Sequence, residues 1–206
     1  SQSRFYENII GRSEAFISLI FPKIKELFHE QFENVTAHDF YLAVNKAEPS
    51  LIRTEADELT YSMHIMVRYE IEKRLMDGSL STKDLPNEWN RLYKEYLGID
   101  VPCDSMGCLQ DSHWSGGALG YFPSYSLGSA YGAQFLHKMK QDIDIDKLVS
   151  ENRIDDVTAW LTEKIHKYGM LLTPAQLIEN ACGEEFNADY YIEYLTEKYK
   201  KIYDLK

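Results

Sequence analysis

One stretch limits what this chain can become. Residues 107–128 read Gly-Cys-Leu-Gln-Asp-Ser-His-Trp-Ser-Gly-Gly-Ala-Leu-Gly-Tyr-Phe-Pro-Ser-Tyr-Ser-Leu-Gly. Five of the chain's eleven glycines lie here, with one Gln, one Asp, one His, one Trp and two Tyr. Glycine loses more backbone entropy on folding than any other residue and brings nothing to pack, so the stretch makes poor helix and poor core. It suits a loop that carries polar side chains to a ligand. The sequence on both sides is strongly helical, so the chain reads as a helical scaffold built around this loop.

The flanks support that reading in order. Phe5, Ile9, Phe16 and Ile20 repeat near helical spacing and predict an amphipathic helix over 2–19, ended or kinked at Pro22 and restarted through Phe28. Thr36 with Asp39 predicts a capped helix to about Asn45. The segment 49–52 reads as extended, because the residue before a proline avoids helical backbone. Thr54 is then expected to cap a long helix to Met76, stopped by Asp77-Gly78. Pro86 opens a helix that ends near Gly98, and 99–121 reads as loop. Helices are expected over 124–141 and 153–168, after Thr173-Pro174 to Gly183, and from a cap at Asn187 to about Tyr203. The sum is a mainly α, bundle-like chain of roughly eight to ten helices.

Composition excludes several partners. The net charge is −11, with no basic run or stripe, which argues against nucleic acid and anionic membrane. No apolar stretch approaches the length of a membrane span. Cys103, Cys108 and Cys182 lack metal-type spacing and read as reduced thiols of a cytoplasmic protein. The hydrophobic content of 44% is enough for a core.

Three groups of residues could carry chemistry. Arg53 precedes a helix start, where its guanidinium could grip a carboxylate in two hydrogen bonds. Behind it Asp57, Tyr61, His64 and Arg68 follow at helical spacing, as a functional polar stripe, a solvated face or a buried ion-pair network. Gln110, Asp111, His113 and Trp114 form the second group. Asp111 could orient an imidazole that stabilises a developing oxyanion, or satisfy loop amides while Trp114 fills the core. Tyr121 and Tyr125, around Phe122-Pro123, could aim a phenol at a reacting carbonyl oxygen or serve as core. No metal motif, phosphate-binding loop or nucleophile elbow is present. The residues offer carboxylate-binding and oxyanion-type groups without a nucleophile or a metal.

Taken in order, these groups resemble the carboxypeptidase Taq family of thermostable zinc metallopeptidases. Ile52-Arg53-Thr54-Glu55-Ala56-Asp57 is similar to one family motif, and Gly107-Cys108-Leu109-Gln110-Asp111-Ser112-His113-Trp114 to another. Gly120-Tyr121-Phe122-Pro123-Ser124-Tyr125-Ser126-Leu127-Gly128 is similar to the segment that follows. Ser1-Gln2 looks like the tail of a third motif, His-Glu-Ser/Gly-Gln. The resemblance implies the helical C-terminal part, over 1–206, of a zincin-type metallocarboxypeptidase with a glycine-rich active-site loop.

It further implies that the His-Glu-x-x-His helix and the last zinc-binding glutamate belong to an upstream part missing from this chain. Zinc, or cobalt, is then expected in the complete enzyme and none on this chain alone. The complete enzyme is expected to be a cytoplasmic homodimer acting on peptide substrates. Arg53 is expected to hold the substrate's terminal carboxylate. His113 and Tyr125 are the expected catalytic groups at the oxyanion. Gln110, Asp111 and Tyr121 are expected to orient His113 or line the site, and Asp57 to position Arg53 or the loop. The competing expectation is a non-catalytic helical assembly module on the same scaffold.

Overall fold

The computed structural model describes residues 1–206 and contains no strand. The elements in order are α1 (Gln2–Arg4), a π-helical turn (Phe5–Ile10), α2 (Glu14–Leu27), α3 (Ala37–Val44), a 3-10 turn (Arg53–Glu55), α4 (Tyr61–Met76) and α5 (Leu85–Leu97). After the long loop come α6 (Pro123–Asp142), α7 (Ile145–Ser150), α8 (Ile154–Lys164), a 3-10 turn (His166–Tyr168), α9 (Pro174–Cys182) and α10 (Asp189–Tyr203). The mainly α expectation therefore holds. No helix is long and apolar enough to cross a membrane.

The chain divides into two compact units. One comprises Ser1–Asn45 and Gly128–Lys206, the other Lys46–Leu127.

The first unit buries Phe5, Phe135, Met139, Val157, Leu161 and Ile178 in one cluster. Its opening helix departs from the expectation over 2–19. A π-helical turn closes where the Gly11 amide donates to the Tyr6 carbonyl at 2.8 Å, and a Cβ on Gly11 would lie 2.9 Å from two carbonyl oxygens. Ser13 then turns extended and accepts the Phe16 amide on its hydroxyl, which starts α2 afresh. Pro22 lies inside α2 and does not end it. Thr36 with Asp39 and Thr173 both cap helices as expected, and the Thr173 cap also closes a capping box with Gln176. The expected cap at Asn187 falls one residue early: its side chain accepts the Asp189 amide at 2.9 Å, and Ala188 is the residue before α10.

In the second unit, Val67 and Ile71 of α4 meet Trp89, Leu92, Tyr93 and Leu97 of α5. Gly98 ends α5 in the left-handed region, at φ 74°. The loop is folded back on this core: a Cβ on Gly107 would lie 2.8 Å from Val101 Cγ1 and 3.5 Å from the Trp89 ring. A side chain at this position would force Val101 to shift. The long helix starts at Tyr61 rather than after Thr54. Asp57 is the reason: its carboxylate accepts the amide and hydroxyl of Thr60, at 2.9 and 2.8 Å, and so fixes the turn before Tyr61.

Candidate active site

The second unit gathers every candidate residue that the sequence singled out, and Asp111 is their centre. Its Oδ1 accepts from Arg53 Nε at 3.0 Å and Arg53 Nη2 at 2.7 Å. Its Oδ2 accepts from Arg68 Nε at 2.6 Å and pairs with Arg68 Nη2 at 2.5 Å. Two nearly dry guanidiniums therefore share one carboxylate: the Arg68 side chain is 0% exposed, Arg53 8% and Asp111 10%. Burial pushes the Asp111 carboxyl upward, but the arginine hydrogen bonds and charges outweigh it and hold it below the ordinary range. Asp111 is a carboxylate throughout the neutral range.

Gln110 is spent in the same network. Its Oε1 accepts the Arg53 amide and Arg68 Nη2, both at 2.9 Å, and its Nε2 donates to the carbonyls of Leu51 and Met106, both at 3.0 Å. The paired spacing in the sequence thus becomes a clamp. Residues 110–111 tie the loop to the 3-10 turn carrying Arg53 and to the face of α4 carrying Arg68. Asp57 takes no part in holding Arg53; it caps Thr60 and accepts the Glu48 amide.

His113 and Tyr125 lie together. Nε2 of His113 is 3.0 Å from the Tyr125 hydroxyl. Its Nδ1 is buried without a hydrogen bond and stands 3.9 Å from Asp111 Oδ1, beyond hydrogen-bond reach. Tyr121, half exposed, stacks on His113 with ring centres 5.9 Å apart and meets Tyr125 edge-on at 5.3 Å. The Arg53 guanidinium lies 5.0 Å from the centre of the Tyr125 ring, which links the two halves of the cluster. Trp114 packs on Trp89 and Phe122 and donates to Glu72 at 2.7 Å, as a core residue with a satisfied polar end.

Arg68, Tyr93 and the Leu51 carbonyl are the participants whose partners sequence spacing did not identify. Arg68 was visible only as part of a polar stripe. His64, four residues before it, is fully buried, with Nδ1 3.1 Å from the Tyr93 hydroxyl. Burial first, and then the Arg68 charge, lower its pKa from 6.5 to about 4. Unfolded chain therefore binds a proton at this position between pH 6.5 and about 4 that folded protein does not. Its contribution is complete above pH 6.5 and is lost as pH falls toward 4, a change on the order of 3 kcal/mol. Urea midpoints measured from pH 7 to 4.5 should fall steeply, and His64→Gln should flatten the fall. A flat wild-type profile, or an unchanged slope in the variant, would remove His64 from this role.

No three or more His, Cys, Asp or Glu side chains come together as a group that could hold a metal ion. The cluster's one central carboxylate has both oxygens on arginines. The residues of this site do not fit a metal.

Comparison with known proteins places the chain in a family. The chain is 47% identical over 204 residues to Carboxypeptidase 1 of Bacillus subtilis (strain 168), covering 98% of this chain and 41% of that protein. It is 43% identical over 200 residues to Thermostable carboxypeptidase 1 of Pyrococcus furiosus, covering 97% and 40%. The crystal structure of an M32 carboxypeptidase from Deinococcus radiodurans R1 superposes with a TM-score of 0.95 at 38% identity, over 98% of this chain and 41% of that one. The chain thus spans about two fifths of the length of the relatives it matches. Residues 1–199 match the family described as carboxypeptidase Taq (M32) metallopeptidase, and the chain belongs to that family.

Proposed function

We propose that this chain is the part of a metallocarboxypeptidase that receives the C-terminal end of a peptide. Arg53 takes the terminal carboxylate, and the His113–Tyr125 pair takes the carbonyl oxygen of the bond to be hydrolysed. The observation that carries the reading is the state of Arg53. A guanidinium has five N–H donors. Arg53 spends two on Asp111 and one on the Tyr61 hydroxyl, at 3.2 Å. Two remain, on a group held rigid beside Tyr125. A fixed, desolvated cation with spare forked donors suits a carboxylate.

His113 and Tyr125 supply the second half. With the proton on Nε2, His113 donates to the Tyr125 hydroxyl across 3.0 Å and fixes its direction. The phenol in turn donates a hydrogen bond toward the substrate oxygen as negative charge develops there. Tyr125 is the direct donor in this reading and His113 supports it. Burial raises the Tyr125 pKa above its ordinary value, which keeps the phenol protonated at neutral pH. Gln110 and Asp111 serve by holding Arg53, and Tyr121 by covering the His113 ring. The metal, zinc in this reading, is held by residues other than these 206. The whole protein acts as a cytoplasmic homodimer.

The test uses the metal-loaded protein and an N-blocked peptide, offered together as the free acid and the C-terminal amide. Mass spectrometry should show single residues leaving the free acid in order, with the amide cleaved at least about tenfold more slowly. That is the factor expected when charge-assisted hydrogen bonds worth about 1.5–3 kcal/mol go unmade. Internal cleavage, or equal loss from acid and amide, would overturn the reading.

A further inference from the structure

We propose that Arg68 is a positioning residue for carboxylate recognition: by sharing Asp111 with Arg53, it leaves Arg53 with both spare donors and unneutralised charge. The inference rests on Arg53 being the carboxylate-binding group. A lone buried Arg–Asp pair is a closed neutral unit with little reason to attract a second carboxylate. Here the unit is two guanidiniums on one carboxylate, an excess of one positive charge.

The donors decide where that excess is presented. Arg68 Nε and Nη2 meet Asp111 Oδ2, Nη2 also meets Gln110, and Nη1 meets the His64 carbonyl at 2.7 Å and the Tyr93 hydroxyl at 3.4 Å. Four hydrogen bonds and one close ion-pair contact engage all three of its nitrogens, and its side chain is 0% exposed. Arg68 is engaged at every nitrogen and sealed from solvent. It also sits 4.6 Å from the centre of the Trp89 ring, so both its edge and its face are taken. Arg53 is the member with donors left over. Arg68 also anchors Asp111 Oδ2 from the side opposite Arg53, which keeps the carboxylate from swinging to cover the remaining Arg53 donors. The buried, neutral His64 beside it adds no charge of its own.

A charge role and a merely structural role separate in a double variant. Arg68→Met removes the excess charge and should raise KM for a free-acid peptide at least about tenfold, with kcat within about threefold, in the metal-loaded protein. Adding Asp111→Asn to Arg68→Met removes the negative charge as well, restores the excess on Arg53, and should bring KM back to within about threefold of wild type. A prop that only holds the loop predicts the opposite, because the double variant has lost two members of the network. A double variant with KM raised as far as, or further than, the single one overturns the proposal. Should Arg68→Met fail to fold, the double variant is compared directly with wild type, and a KM raised more than about tenfold is the overturning result. A wild type that cleaves acid and amide alike overturns both this inference and the function on which it rests, whereas normal acid preference with an unchanged Arg68→Met KM overturns this inference alone.

Discussion

Asp111→Ala is expected to destabilise the protein by about 3–5 kcal/mol, the cost of removing one partner from a buried ion pair. The size follows from what stays behind. Arg53 and Arg68 would keep their charges in surroundings that leave their side chains only 8% and 0% exposed. Neither can shed its proton, since a guanidinium stays charged at any ordinary pH. Against a typical total stability of about 5–15 kcal/mol, the loss is a large fraction. Asp111→Asn keeps the shape and one carbonyl acceptor and should cost less. Urea denaturation followed by circular dichroism at pH 7 measures both. A loss below about 1 kcal/mol for the alanine variant would mean that water reaches the arginines and that the cluster is not sealed.

His113→Ala and Tyr125→Phe carry the second large effect. Each should lower kcat of the metal-loaded enzyme by about 10²–10³-fold, the range for losing one oxyanion donor. Because Nε2 of His113 sits 3.0 Å from the Tyr125 hydroxyl, the two act as one device. The double variant should therefore cost little more than the worse single one. Steady-state kinetics on a blocked dipeptide, with metal content measured on each variant, reads this out. Multiplied losses in the double variant would show two independent donors. Reduced metal content would show that the residues act elsewhere than on the substrate oxygen.

How far these features could be read from sequence depends on the reach of the forces involved. Helix ends set by nearby residues were legible, as at Thr36 with Asp39, at Thr173 with Pro174, and at the left-handed glycines Gly98 and Gly183. Where two local signals competed, the sequence did not say which would win. Thr54 and Asp57 both precede α4, and the Asp57 carboxylate on Thr60 set the start. Pro22 signals a break, yet the break falls at Gly11–Ser13, where a π-turn and an extended serine coincide. Motif order singled out the residues that gather around Asp111. Their wiring was not legible, because the partners are far apart in the chain. Asp111 binds Arg68 across 43 positions, and Gln110 reaches the Leu51 carbonyl across 59. Spacing put Arg68 on one helix face with His64 and could not show that its counter-charge would come from the loop.

The most direct test of the central claim, that Arg53 receives the substrate's carboxylate, is the acid-against-amide competition repeated with Arg53→Ala. The ratio of kcat/KM for the free acid to that for the amide should collapse from at least about tenfold to near one, through loss of the acid rate, while the amide rate stays close to its wild-type value. A variant that keeps the wild-type ratio, or that loses both rates equally, would contradict it.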